Sequence, residues 1–194
     1  MKEKIEMLNT LRDKAHKNAV QKGFWKEVNI QRALALVISE VGEAVEADRQ
    51  GKTPCVDGYY QLKNSTKDPV AITEGFLMYM KDTTGDELAD VFIRLLDYCG
   101  YREIDIEAAL RKQTQKDRSH NCKFFLLNYL NLCICRIAYT EETSGKTAGL
   151  PAMVAEAFDV LNDVALKMGV SLLVHIQEKM NYNAGREHLH GKRY

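Results

Sequence analysis

The chain has 194 residues, 45% of them hydrophobic and 28% charged, the make-up of a globular domain with enough apolar material for a core. Lysine plus arginine and aspartate plus glutamate balance at 27 each, which argues against a generally basic nucleic-acid surface. No apolar run approaches the roughly 20 residues that span a bilayer, and Met1 opens a charged amphipathic segment, so a cytoplasmic protein with no membrane partner is expected.

In chain order, apolar residues recur at helical spacing and nowhere alternate as in a strand, so the expected class is all-α, one domain over residues 1–194. Helices are expected at residues 2–22, 30–50, 84–99, 105–116, 121–140, 152–168 and 171–184. Residues 51–69, bounded by Gly51 and Pro69, read as a long loop, followed by a short helix at 72–80. Thr84 with Glu87 three residues on reads as a capping box. Five cysteines, with no C-x-x-C pair, read as reduced, small core residues in a reducing compartment, and Cys133 and Cys135 point to different helix faces.

Two acidic pairs stand out: Glu40 and Glu43, then Glu87 and Asp90. Each is spaced i, i+3, which sets two carboxylates side by side on one helix face. Leu34, Val37, Ile38 and Val41 wrap the first pair, and Leu88, Val91, Phe92 and Leu95 the second, so both helices read as buried. Buried carboxylates are costly unless a cation lies between them, and four hard-oxygen donors suit Mg²⁺. The competing readings are a solvent-facing polar stripe for Glu40 and Glu43, and the capping box for Glu87.

The chain also resembles itself. Residues 86–100 align without a gap against 155–169, so Glu156 and Asp159 echo Glu87 and Asp90, and Gly100 and Gly169 both read as helix C-caps. Aligning Gly51-Lys-Thr with Gly145-Lys-Thr places Ile134 and Ile137 opposite Glu40 and Glu43. This pattern reads as a tandem duplication: residues 1–118 keep the acidic site and residues 119–194 form a degenerate copy. The Gly-Lys-Thr strings are not P-loops, because Glu46 and Thr140 stand where the first glycine belongs. His16, His120, His175, His188 and His190 form no helical metal-binding pair.

Four stretches together resemble the MazG-like all-α nucleoside triphosphate pyrophosphohydrolases. They are Lys22-Gly-Phe-Trp, the Ala33–Ala47 run around Ser39-Glu-Val-Gly-Glu, the Asp86–Asp97 run around Glu-Leu-Ala-Asp-Val, and Lys179-Met-Asn-Tyr-Asn-Ala-Gly-Arg with His190-Gly-Lys-Arg-Tyr. The resemblance implies a magnesium-dependent hydrolase, with Mn²⁺ as a substitute, that converts a nucleoside triphosphate to monophosphate and pyrophosphate, and a homodimer or higher oligomer. Two features depart from the family pattern: Ser39 replaces a frequent further glutamate, and residues from about 111 to 177 intervene before the basic end. The duplication accounts for the second departure. The first copy retains only Arg111 and Arg118 near the expected places, and the second copy supplies Lys179, Asn183 and Arg186.

These residue types suit the chemistry. A triphosphate cannot approach four carboxylates unless a metal intervenes. Glu40, Glu43, Glu87 and Asp90 are the expected metal ligands, Lys179, Asn183 and Arg186 the phosphate-facing groups, and Glu40 or Glu43 the water-activating base. A basic helix end favourable to the macrodipole is the other reading of Lys179 and Arg186. Trp25 reads as either a base-stacking surface or a core anchor. Alternatives at the level of function are a dUTP/dCTP-specific or phosphoribosyl-ATP enzyme of the same superfamily, or a non-catalytic helical interaction protein with a vestigial site.

Overall fold

The computed structural model describes residues 7–114, 116–143 and 149–191. Among them are nine α-helices and no strand: α1 (Leu8–Gln21), α2 (Ile30–Arg49), α3 (Val56–Ser65), α4 (Pro69–Tyr79), α5 (Thr84–Tyr101), α6 (Ile106–Lys112), α7 (Lys123–Thr143), α8 (Leu150–Lys167) and α9 (Leu172–Gly185), then a 3₁₀ turn at His188–Gly191. The all-α expectation holds. No helix among the described residues is long and apolar enough to cross a membrane.

Local sequence accounts for most of the helix starts. The Asn29 side chain accepts from the amide of Arg32 at 2.8 Å, and Asp105 caps α6 through the amide of Ala108 at 2.9 Å. Asp68 caps α4, with Pro69 filling its first position. The capping of α5 falls one residue earlier than expected: Thr83 is the cap and Thr84 the first helical residue.

Three other expectations are corrected. Residues 51–69 are not all loop, since α3 forms within them. It has a single buried side chain, Tyr59, and is held by tertiary packing rather than by its own periodicity. The helix expected at 105–116 ends at Lys112. Gly169 does take the left-handed conformation after α8, with φ +69°, but Gly100 stays helical and Glu103 takes the positive φ instead. Gly100 serves close packing, because a Cβ there would fall 2.4 Å from the Cβ of His16 on α1. The core reading of the cysteines holds for Cys99 and Cys133 but not for Cys55, Cys122 and Cys135, which are exposed, and none is disulfide-bonded.

The bundle is organised around two long pairs, α2 against α5 and α7 against α8, with α2 also lying on α7. One core joins them, running through Leu34, Leu95, Leu130, Ile134, Val154 and Ile176. Burying such a side chain contributes about 1.5–3 kcal/mol. The short helices cross over: α6, which follows α5, packs on α8, whereas α9, which follows α8, packs on α5. That exchange brings the C-terminal helix to the acidic end of α5. The α3–α4 hairpin forms a smaller cluster of Tyr59, Phe76 and Met80, with Phe76 stacked on Tyr182 of α9 at 4.7 Å.

Candidate active site

Helix α5 delivers its acids through a tight first turn. Thr83 Oγ1 accepts from the amide of Asp86, and Asp86 Oδ2 accepts from the amide of Asp82 at 3.0 Å. The reach back across the helix start therefore belongs to Asp86. Glu87 is left facing Asp90 one turn on and Glu40 of α2. Glu40, Glu87 and Asp90 each offer an oxygen within 4.8 Å of the others, and Asp82, Asp86 and Glu87 form a second such group. Glu87 belongs to both.

Two cations from other positions enter this cluster. Arg94 Nε donates to Glu40 Oε1 at 2.7 Å. Lys179, 4% exposed, sets Nζ 2.7 Å from both Asp86 Oδ2 and Asp90 Oδ2. Burial raises the proton affinity of Glu40, with Arg94 pulling the other way, and Asp90 and Glu43 adding to the rise. For Glu87, burial and then the charge of Asp86 push the carboxyl pKa up to about 8. Asp86 is raised by burial against the pull of Lys179. Lys179 itself is raised: burial alone would lower it, but Asp90 and Asp86 outweigh that.

The acids open onto a cavity of about 430 Å³ lined from both halves of the chain, by Glu40, Glu43, Glu87 and Asp90 as well as Lys179, Asn183 and Arg186. Asn183 is buried and its Oδ1 has no hydrogen-bond partner among the described residues. Arg186 lies over the ring of Tyr182, 5.7 Å from its centroid. The chain beyond α9 is tied to the end of α1, where Leu189 donates its amide to the carbonyl of Lys22 at 2.8 Å and Lys22 Nζ donates to the carbonyl of Arg186. Residues 192–194 of the basic tail lie outside the described residues. Glu43 is exposed and lines the cavity, but belongs to neither close group of acids. Ser39 is also exposed and donates to the carbonyl of Leu36 at 2.8 Å.

Trp25 lines the far end of the same cavity. One face of its ring stacks on Tyr101, 4.3 Å away and 6° from parallel, and its Nε1 donates to Asp97 Oδ1 at 2.8 Å. His16 Nδ1 shares that carboxylate at 2.7 Å. The side chain is thus anchored through Tyr101 and Asp97 while it also borders the cavity.

The echo acids are arranged differently. Arg118, 7% exposed, donates through Nη1 to Asp159 at 2.7 Å and Asp163 at 3.0 Å. Glu156 accepts from Lys116 at 2.6 Å and from the Tyr129 hydroxyl at 2.7 Å. Ile134 and Ile137, aligned with Glu40 and Glu43, are fully buried in the core. Arg111 makes a long contact with Glu107, at 3.8 Å.

Four side chains important to the site escaped the sequence reading. Asp86 passes for an ordinary first-turn acid favoured by the helix dipole, and Asp82 for a loop residue. Arg94 carried a usable signal, since it follows Asp90 at i+4 and shares its face. Glu178, buried on α9, accepts from Tyr59 and Tyr60 at 2.9 Å each and from Lys63 at 2.6 Å, which docks α3 beside Lys179. No spacing along the chain announces that contact. Comparison of the chain with family models, curated proteins and solved structures finds no match.

Proposed function

We propose that the chain is a MazG-like nucleoside triphosphate pyrophosphohydrolase dependent on Mg²⁺, built as a fused tandem duplication and acting in nucleotide-pool house-cleaning. The observation that carries this reading is the convergence of Glu40, Glu87 and Asp90 oxygens within 4.8 Å, beside a second group sharing Glu87, on a cavity also lined by Lys179, Asn183 and Arg186.

The donors fit the ion. They are all carboxylate oxygens, the hard ligands Mg²⁺ prefers, and the buried Asp86 Oδ1 has no hydrogen-bond partner among the described residues. When bound there, Mg²⁺ supplies the Lewis-acid charge that lets a polyanion approach these carboxylates. The chain's own residues do the rest. Glu40, Glu87 and Asp90 hold the cation, with Asp82 and Asp86 at the second position, and Arg94 fixes the Glu40 carboxylate through one oxygen. Arg186 and Lys179 neutralise phosphate oxygens, and the Asn183 amide orients them. Glu43, exposed at the cavity rim, accepts the proton of the attacking water. Trp25 offers an apolar border for the base.

A second reading is favoured by the internal pairing of Lys179 and Arg94 with the acids: a non-catalytic helical protein in which these cations stand permanently where metal would be. A panel of nucleoside triphosphates, including dUTP, dCTP and phosphoribosyl-ATP, assayed for pyrophosphate release with Mg²⁺ or Mn²⁺ separates the two. Release from at least one member is the expected outcome, and none from any member would leave the non-catalytic reading.

A further inference from the structure

Lys179 joins the two acidic groups. Asp86 belongs to one and Asp90 to the other, and each places an Oδ2 atom 2.7 Å from the same Nζ. An ammonium therefore stands between the two places where hard oxygens converge. A buried ion pair that is purely structural satisfies its remaining lone pairs with nearby donors. Here two acceptors on the cavity wall are left open: Asp86 Oδ1, in a residue 1% exposed, and Asn183 Oδ1, one turn beyond Lys179 in a residue 5% exposed. Both are buried oxygens in residues that line the cavity, suited to an incoming cation or a donor carried by a ligand.

The residue type matters as well. Lysine is a point charge on a flexible four-carbon stem, whereas arginine is a rigid fork. Arg118 illustrates the contrast in residue type, clamping Asp159 and Asp163 of α8; its Nη2 is also without a hydrogen-bond partner among the described residues, but no group of three acids converges there among those residues.

We propose that Lys179 is a displaceable internal counter-ion that couples cation binding to phosphate binding; this deepens the pyrophosphohydrolase reading and rests on it. Without a divalent cation, Nζ neutralises Asp86 and Asp90. When a divalent cation shares those oxygens, the ammonium loses its partners and turns along its stem into the cavity, where phosphate oxygens receive it. Because the same charge cannot serve carboxylates and phosphate together, each ligand raises the affinity for the other.

The test uses Mn²⁺ as the cation and inorganic pyrophosphate as the anion. The Lys179→Met protein is expected to bind Mn²⁺ about tenfold more tightly than the native chain, within the usual range of site coupling. Pyrophosphate should tighten Mn²⁺ binding in the native protein and lose that effect in the variant. Unchanged or weaker Mn²⁺ affinity in the folded variant would overturn the proposal. A measurement on the native chain guards against misfolding: amine acetylation mapped by mass spectrometry should leave Lys179 unmodified alone and modify it with Mn²⁺ present. Equal protection in both conditions would also overturn it. Neither readout depends on turnover, so a failed nucleotide panel removes the proposed activity without deciding the role of Lys179.

Discussion

Arg94 of α5 reaches across to α2 and donates to Glu40 through a single 2.7 Å bond, tying together the two helices that carry the acidic pairs. Its charge and its hydrogen bond both hold the Glu40 proton affinity below what burial alone would set. Replacing it therefore makes Glu40 harder to ionise. Arg94→Met is expected to move the acid limb of the pH profile of pyrophosphate release to higher pH. An unmoved limb would mean that Glu40 ionisation does not govern activity.

The helices were legible because their apolar faces repeat at 3.6-residue spacing, and the paired acids because carboxylates are unexpected within such faces. Helix α3 was hidden because its stability comes from Tyr59 and Tyr60 meeting Glu178, 118 or more positions away. The same long-range character concealed Lys179: its spacing to Asn183 suggested a phosphate-facing pair, but its contacts with Asp86 and Asp90 depend on α9 crossing to α5. Glu43 illustrates the limit of periodicity, since sharing a helix face with Glu40 did not bring it into the same close group.

The two sets of acids should respond oppositely to substitution. Glu40→Ala, Glu87→Ala and Asp90→Ala each remove a converging oxygen and are expected to lower turnover by about 100-fold or more while the protein stays folded. Asp159→Ala leaves turnover of the folded protein unchanged, but strips Arg118 of its closest partner and, because Asp163 still faces that guanidinium, should destabilise by about 1–3 kcal/mol. Denaturant titration alongside kinetics distinguishes the patterns. Loss of turnover in folded Asp159→Ala would place α8 in the catalytic machinery.

Glu87 makes the effect of metal on stability depend on pH. Its ordinary value of 4.5 is raised to about 8 by burial and by Asp86. A raised folded-state value gives stability that is complete below 4.5 and lost as pH climbs through 8. Above that pH the folded protein carries an ionised, crowded carboxylate that a divalent cation relieves. The rise in Tm on adding Mg²⁺ should therefore be larger at pH 8.5 than at pH 6. An equal rise at both would mean that the cation does not compete with the Glu87 proton.

His175 packs its ring against Gly85 in the first turn of α5, 1% exposed, with no hydrogen-bond partner for Nε2 among the described residues. Burial lowers its pKa from 6.5 to about 4. The sign is opposite to that of Glu87: the neutral ring is favoured on folding, so its contribution is full above pH 6.5 and disappears as pH falls through 4. The loss should approach about 3 kcal/mol. His175→Leu should flatten this part of the stability profile. The ring also explains Gly85, where an added Cβ would lie 2.4 Å from its Cε1. Gly85→Ala should cost about 1–3 kcal/mol through overpacking. In a His175→Ala background the three nearest contacts of the new methyl, all to the ring, are removed, so most of that penalty should vanish, a coupling of about 0.5–3 kcal/mol. Strict additivity of the two substitutions in denaturant titration would show that the ring does not set the requirement for glycine beside Asp86.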